Sequence, residues 1–253
     1  MREEWITSRK NPLLVQIRRL VSSRGARRSA GMFLGDGVKL LEEALKWDVP
    51  LTTVVVTPEI TPPALPAGVR LVQVPRDVME TISPMKTPQG ALFLAQLPST
   101  TPPQRLEGNR YLVLDGVQDP GNVGTIWRSA DALGADGLLL VNGCADPYSP
   151  KVVRATMGAC FRLPVWETTV EELEGLLKTS QIPLYATALR EDTVDVRQAD
   201  LGRAAVVIGS EGRGVSQALL DRAEQTVKIP MRERCESLNA ASAAVVVLWE
   251  MGK

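Results

Sequence analysis

Three short stretches of this chain carry the polar groups from which chemistry could be built: "NVGTIWR" from Asn122 to Arg128, "VIGSEGRGVS" from Val207 to Ser216, and "KIPMRERCESLNAASAAVVVLWE" from Lys228 to Glu250. Together they offer carboxamides at Asn122 and Asn239, a carboxylate at Glu211, a hydroxyl at Ser237 and a guanidinium at Arg128. No histidine occurs in the 253 residues, which removes every mechanism that needs imidazole, including the Ser/His/Asp triad, the Cys/His dyad and histidine metal sites. Cys144, Cys160 and Cys235 are odd in number and contain no CxxC pair, so neither a disulfide framework nor a zinc set is expected, and no metal. Any chemistry must use amides, hydroxyls, carboxylates, arginine or lysine.

The first stretch sits in "LDGVQDPGNVGTIWRSADALGADGLLL", which begins like a strand running into a phosphate loop. A Walker A loop needs a lysine where Asn122 stands, and Gly116, Gly121 and Gly124 do not make the GxGxxG of a dinucleotide site. Neither an ATPase nor a Rossmann oxidoreductase follows. The turn reads as the end of a strand near Asp115, then a helix from Asn122 to Leu133, with Asn122 as N-cap and Gly134 at the C′ position. Val123, Ile126, Ala130 and Leu133 form its apolar stripe, and Arg128, roughly 200° from Ile126 at about 100° per residue, points away from the core. The structural alternative for Arg128 is a surface pair with Asp131. A Ser or Gly beside a turn is likewise often only a cap or a loop.

The elements that must position these groups fall into two halves. "LPSTTPPQRLEGNR", Leu97 to Arg110, interrupts all periodicity and marks the boundary. We expect one domain over 1–100, a linker over 101–108 and a second domain over 109–253. Before the boundary, helices in "NPLLVQIRRLVSS", "VKLLEEALKW" and "RDVMETIS" and strands in "MFLGDG", "LTTVVVT", "VRLVQV" and "ALFLAQL" make a small α/β domain. After it, "YLVLDG", "GLLLV", "LPV", "PLYATAL", "AAVVIGS" and "VKIP" are short apolar runs without alternation, as in a parallel sheet buried on both faces. Helical patterns lie between them at Pro150 to Cys160, Val170 to Lys178, Ser216 to Asp221 and Leu238 to Met251.

An apolar content of 44% and a charged content of 23% are those of a folded globular protein. Net charge is zero, but residues 1–31 hold eight basic against two acidic side chains, +6, which leaves −6 for the rest. Arg9, Lys10, Arg18, Arg19, Arg24, Arg27 and Arg28 in that segment make a polyanion such as RNA the expected partner. The longest apolar run, "AASAAVVVLW", is half of the ~20 residues a membrane span needs, so a cytoplasmic protein without membrane contact is expected.

In their order and spacing the three stretches closely resemble the SpoU branch of the SPOUT superfamily, RNA ribose 2′-O-methyltransferases that use S-adenosylmethionine. The first family motif falls on Asn122 and Arg128, the second, GxEGxG, on Gly209, Glu211, Gly212 and Gly214, and the third on Ile229, Pro230, Met231, Ser237, Leu238 and Asn239. In the N-terminal half, "SRKNPLLVQIRRL", "GMFLGDGVKLLEEAL" and "PQGALFLA" resemble the family's L30e-like RNA-binding domain. Asp36 stands where glutamate is usual and Thr156 where serine is frequent. The resemblance implies an α/β fold, a parallel-sheet catalytic domain with a deep trefoil knot, and a homodimer with its active site near the interface. It also implies catalytic roles for Asn122, Arg128, Glu211, Ser237 and Asn239, and cofactor contacts at Gly209, Gly212, Ile229, Met231 and Leu238, with Thr187 and Ala188 close by.

Relatives are proposed to activate the hydroxyl with the arginine, here Arg128, but guanidinium is a very weak base. Arg128 could equally hold the adjacent phosphate while Glu211 or solvent takes the proton. Structured 23S ribosomal RNA is the expected substrate, because a separate domain of ribosomal-protein type reads RNA shape and backbone. Transfer RNA methylation and a non-catalytic RNA-binding protein of the same fold are the alternatives. Base methylation through Cys235 is discounted, since that residue sits among charges in a motif whose functional positions are Ser237 and Asn239.

Overall fold

The first half of the chain folds because its apolar residues recur at helical and strand spacing, and its helix ends carry their own caps. A computed structural model describes residues 4–190, 192–232, 234 and 237–253. Arg2 and Glu3 of the basic segment, and Cys235, lie outside the described residues. The chain forms two compact units, one of Met1–Pro98 with Asp146–Phe161, the other of Ser99–Ala145 with Arg162–Lys253.

In the first unit, β1 (Glu4–Trp5) precedes α1 (Pro12–Ser22), α2 (Arg24–Ala30), β2 (Met32–Asp36), α3 (Val38–Lys46), β3 (Leu51–Val56), β4 (Arg70–Gln73), α4 (Arg76–Met79) and β5 (Ala91–Gln96). The sheet order is β1-β4-β3-β5-β2, with β5 antiparallel to both of its neighbours. Asn11 caps α1 by accepting from the Leu13 amide at 2.9 Å, Pro12 opens it, and Leu13, Leu14, Ile17 and Leu20 are buried against the sheet residues Leu34, Val55, Val72 and Leu92. Gly35 is opposite Phe93, and a Cβ there would come within 2.1 Å of the ring, so the strand pair closes only over glycine. Asp36, buried at the end of β2, accepts from Ser83 Oγ at 2.8 Å, and burial raises its pKa above the ordinary aspartate value.

The second unit starts with β6 (Arg110–Asp115), α5 (Pro120–Ala132) and β7 (Gly137–Val141). The chain then gives α6 (Pro150–Ala155) to the first unit. The expected helix from Pro150 to Cys160 is shorter than its sequence pattern because Met157 and Gly158 both take positive φ, leaving a short 3₁₀ turn at Ala159–Phe161. The rest of the second unit is β8 (Val165–Glu167), α7 (Val170–Ser180), β9 (Leu184–Thr187), β10 (Val194–Asp195), β11 (Ala204–Gly209), α8 (Gln217–Leu220), β12 (Gln225–Lys228) and α9 (Ala240–Met251).

All seven of these strands are parallel, in the order β10-β12-β9-β11-β6-β7-β8. Their side chains alternate between two buried faces. Tyr111, Val113, Leu139, Val141, Ala205 and Val207 meet Leu173 and Leu177 of α7 and Leu219 of α8 on one face. Helices α5 and α9 pack together on the other, against β7 and β11. Trp127 of α5 is fully buried there and donates through Nε1 to the Leu163 carbonyl at 3.0 Å. Among the described residues no helix is long and apolar enough to cross a membrane.

Candidate active site

The three polar stretches converge at the C-terminal ends of the parallel strands, and a directed run of hydrogen bonds joins them. Asn239 caps α9: its Oδ1 accepts from the amides of Ala241 at 2.9 Å and Ser242 at 3.3 Å. That fixes its amide, so Nδ2 points to Asn122 and donates to Asn122 Oδ1 at 3.1 Å. Asn122 must in turn present its own Nδ2 outward, and it donates to Glu211 Oε1. A helix cap thus sets the orientation of two carboxamides and anchors one oxygen of the Glu211 carboxylate.

Asn122 itself is not the helix cap. The helix begins two residues earlier, because Asp119 accepts from the Asn122 amide at 2.9 Å and Pro120 occupies the first turn. This frees the Asn122 side chain for Glu211 and Asn239. Gly134 does take positive φ after the Leu133 cap, as expected for C′.

Glu211 stands on a tight loop because β11 ends at a glycine with no room for a side chain. A Cβ on Gly209 would lie 2.2 Å from the Gly214 carbonyl carbon. Ser210 and Gly214 then exchange two backbone bonds, of 3.1 and 2.9 Å, holding Glu211, Gly212 and Arg213 as a three-residue tip.

Behind this loop is a cavity of about 350 Å³. Thr187, Ala188, Gly209, Gly212, Ile229, Met231 and Leu238, every cofactor residue expected from the sequence, line it, as do Glu211 and Ser237. Leu189, Ile208 and Ala243 complete its apolar wall and were not legible in the motifs. Leu189 is 69% and Leu238 41% exposed, so both offer apolar surface at the cavity to a ligand. Small residues and main-chain edges with apolar side chains suit an adenine ring and its polar rim.

Arg128 lies apart from this run. Six residues beyond Asn122 it is about 9 Å along the helix axis and about 120° around it. It is exposed, and among the described residues its side chain makes no ion pair or hydrogen bond. The surface pair with Asp131 does not form, because Arg162 takes that carboxylate at 2.7 and 2.9 Å.

Of the basic residues expected to meet RNA, Arg9, Lys10, Arg19 and Arg28 are exposed, Arg18 and Arg24 half-buried. Arg9 pairs with Asp77 at 2.8 Å, and Arg18 donates to the Arg9 carbonyl at 2.6 Å. Arg27 is a correction. It is 4% exposed, pairs with Asp146 and donates to the Leu20 and Val21 carbonyls, so its charge is consumed inside the first unit. Among the described residues no three His, Cys, Asp or Glu side chains could hold a metal. Burial pushes the Cys144 thiol up to about 11, which keeps it protonated at neutral pH.

Residues 109–249 match the model of the SpoU rRNA Methylase family, and residues 11–92 that of the MRM3-like substrate binding domain. The 23S rRNA (guanosine(2553)-2′-O)-methyltransferase RlmP of Bacillus subtilis is 30% identical over 247 residues, 97% of this chain and 98% of the relative. The 23S rRNA (uridine(2479)-2′-O)-methyltransferase of Streptomyces viridochromogenes is 32% identical over 97% of this chain and 90% of its own. The crystal structure of an S-adenosylmethionine-bound rRNA methyltransferase from Sinorhizobium meliloti superposes with a TM-score of 0.86, at 31% identity, over 98% of this chain and 97% of that one. By the match of its catalytic unit and by similarity along nearly its whole length, this chain belongs to the SpoU rRNA methylase family.

Proposed function

We propose that this protein transfers the methyl group of S-adenosylmethionine to a ribose 2′-hydroxyl of 23S ribosomal RNA. One observation carries the reading: Glu211, held by Asn122, which Asn239 in turn orients from the third motif, lines the cavity that suits the methyl donor. When bound, S-adenosylmethionine supplies an electrophilic methyl carbon and a neutral thioether leaving group. The chain's residues must then align a sugar hydroxyl and take its proton.

Asn122 donates to one Glu211 oxygen, which leaves the other to accept that proton. Ser237 lies at the same cavity and orients the ribose. Arg128, exposed and without a partner among the described residues, holds the neighbouring phosphate. Arg9, Lys10, Arg18, Arg19, Arg24 and Arg28 contribute to RNA binding by the first unit. The two relatives named above for 23S rRNA cover both units of this chain, which supports ribosomal RNA over transfer RNA.

The knot belongs to the same reading. Ile229, Met231 and Leu238, beyond β12, line one cavity with the ends of β9 and β11, which favours a final segment threaded between those loops. A homodimer does too. Ser242, Val245 and Trp249 share an exposed face of α9, and Trp249 is 62% exposed. A cytoplasmic location accords with a ribosomal RNA substrate.

The test is incubation with tritiated S-adenosylmethionine and total RNA, followed by mapping of the labelled atom. The expected label is a ribose 2′-O-methyl in 23S rRNA; label on a base, or on no RNA, overturns the reading. Arg128→Ala should retain less than about a tenth of the wild-type rate, the least expected of a positioned charged group, with cofactor affinity unchanged. If Glu211→Gln costs orders of magnitude less than Arg128→Ala, the carboxylate is not the proton acceptor.

A further inference from the structure

We propose that a second crevice, across the Ser210–Gly214 loop from the cofactor cavity, holds the base of the methylated nucleotide, and that Gln118 and Asn142 read that base. The inference rests on the methyl-transfer reading and adds a specificity site to it.

The crevice follows from the order of the strands. β6 and β11 are adjacent and parallel, and Asp115 and Gly209 end them in register. The chain leaves β6 for α5 on one face of the sheet and β11 for α8 on the other. Neighbouring strands whose following helices go to opposite faces leave an opening beyond their C-terminal ends, where parallel sheets bind ligands. Here it is a cavity of about 480 Å³, lined by Asp115, Gln118, Asn142, Arg213 and Ser216 among others. Ser210, Glu211, Gly212 and Gly214 line both this cavity and the one assigned to the cofactor, so the loop is the wall between them. The base is joined to the sugar carbon next to the one that bears the 2′-hydroxyl. A hydroxyl delivered to Glu211 therefore brings its base within reach of the remaining space.

The polar lining is ordered in a way that no cofactor contact explains. Asp115 is 3% exposed, and both of its oxygens are used: Oδ1 accepts from Asn142 Nδ2 and Oδ2 from the Ser216 amide, each at 2.6 Å. The second Asn142 Nδ2 hydrogen goes to Ser216 Oγ at 3.3 Å. The Asn142 amide is therefore fixed with its own Oδ1 left to accept from a ligand N–H. Its backbone sits at φ 54°, a left-handed conformation that asparagine tolerates and that turns its side chain toward Asp115 and Ser216. Gln118 is exposed, makes no hydrogen bond among the described residues and offers a donor and an acceptor. Every nucleobase carries adjacent donors and acceptors on an edge, which a fixed acceptor beside a free carboxamide can read. Only an unstacked base could enter, as in a loop or after flipping.

The test uses the full-length protein and RNA fragments carrying each of the four bases at the mapped position. Wild type should prefer one base in kcat/KM by at least about tenfold, and Gln118→Ala should reduce that preference by about tenfold, the factor of one lost base contact. Cofactor affinity, measured by calorimetry, should not change. Asn142→Ala should act the same way, with thermal unfolding recorded because Asp115 loses a partner. Equal use of all four bases by wild type, or wild-type preference in a folded Gln118→Ala, overturns the proposal, as does weakened cofactor binding in that variant. Absence of label on any RNA with the wild-type protein overturns the methyl-transfer reading instead, and this site with it.

Discussion

The Asn239 side chain joins a helix cap to the carboxylate proposed above as the proton acceptor. Its Oδ1 caps the start of α9, and its Nδ2 sets Asn122, which sets Glu211. Asn239→Asp keeps the cap, since aspartate caps helices as well as asparagine does. It removes the donor to Asn122 and places a second anion near Glu211. We expect this variant to melt within about 2 °C of wild type, as a conserved cap implies, while methyl transfer falls by roughly two orders of magnitude, the scale of a mispositioned acid–base group. Asn239→Ala, by contrast, should lose both stability and activity. Calorimetric unfolding beside single-turnover kinetics separates the two, and an active Asn239→Asp would break the chain of orientation. The residue types of this run were legible as motif positions. Their hydrogen bonds were not, because no sequence spacing states that a cap at residue 239 meets a helix turn at residue 122.

At the scale of elements, sequence patterns found nearly every strand and the longer helices, because their apolar residues recur at the right intervals. They missed β1 and β10, two residues each, and α2, whose "RGARRSA" has no apolar stripe. Helix α2 exists because Ser23 caps it through the Ala26 amide at 3.1 Å, Gly31 ends it at φ 62°, and Arg27 ties it down. The charge at Arg27 looked like RNA-binding surface in the sequence, since its partner Asp146 is more than a hundred residues away. Arg27→Ala should therefore behave as a stability variant. Removing one partner of a buried ion pair costs about 3–5 kcal/mol, so chemical denaturation should show a clear loss. Arg19→Ala, at an exposed position of α1, should leave stability within about 0.5 kcal/mol of wild type and lower RNA affinity instead. Equal stability of the two variants would return Arg27 to the RNA-binding surface.

At the scale of the whole molecule, one chain leaves part of an apolar helix exposed. Helix α9 is apolar on nearly every side: Ala240, Ala241, Ala244, Val247, Leu248 and Met251 are buried, yet Val245 is 39% and Trp249 62% exposed. A soluble helix ordinarily turns polar residues outward, and a helix apolar all round is buried on all sides. In the homodimer proposed above, a second copy of the chain related by two-fold symmetry covers Val245 and Trp249 with an identical face. Helix α5, which carries Arg128, packs beside α9, and the Arg128 side chain has no partner among the described residues. Val245→Glu should desolvate a charge in that interface and give monomers in sedimentation at micromolar concentration. If the paired copy also completes the site, those monomers should bind the cofactor and lose methyl transfer together with the dimer. A Val245→Glu protein that stays dimeric, or a monomer with full activity, would remove α9 from the interface and make one chain sufficient for catalysis.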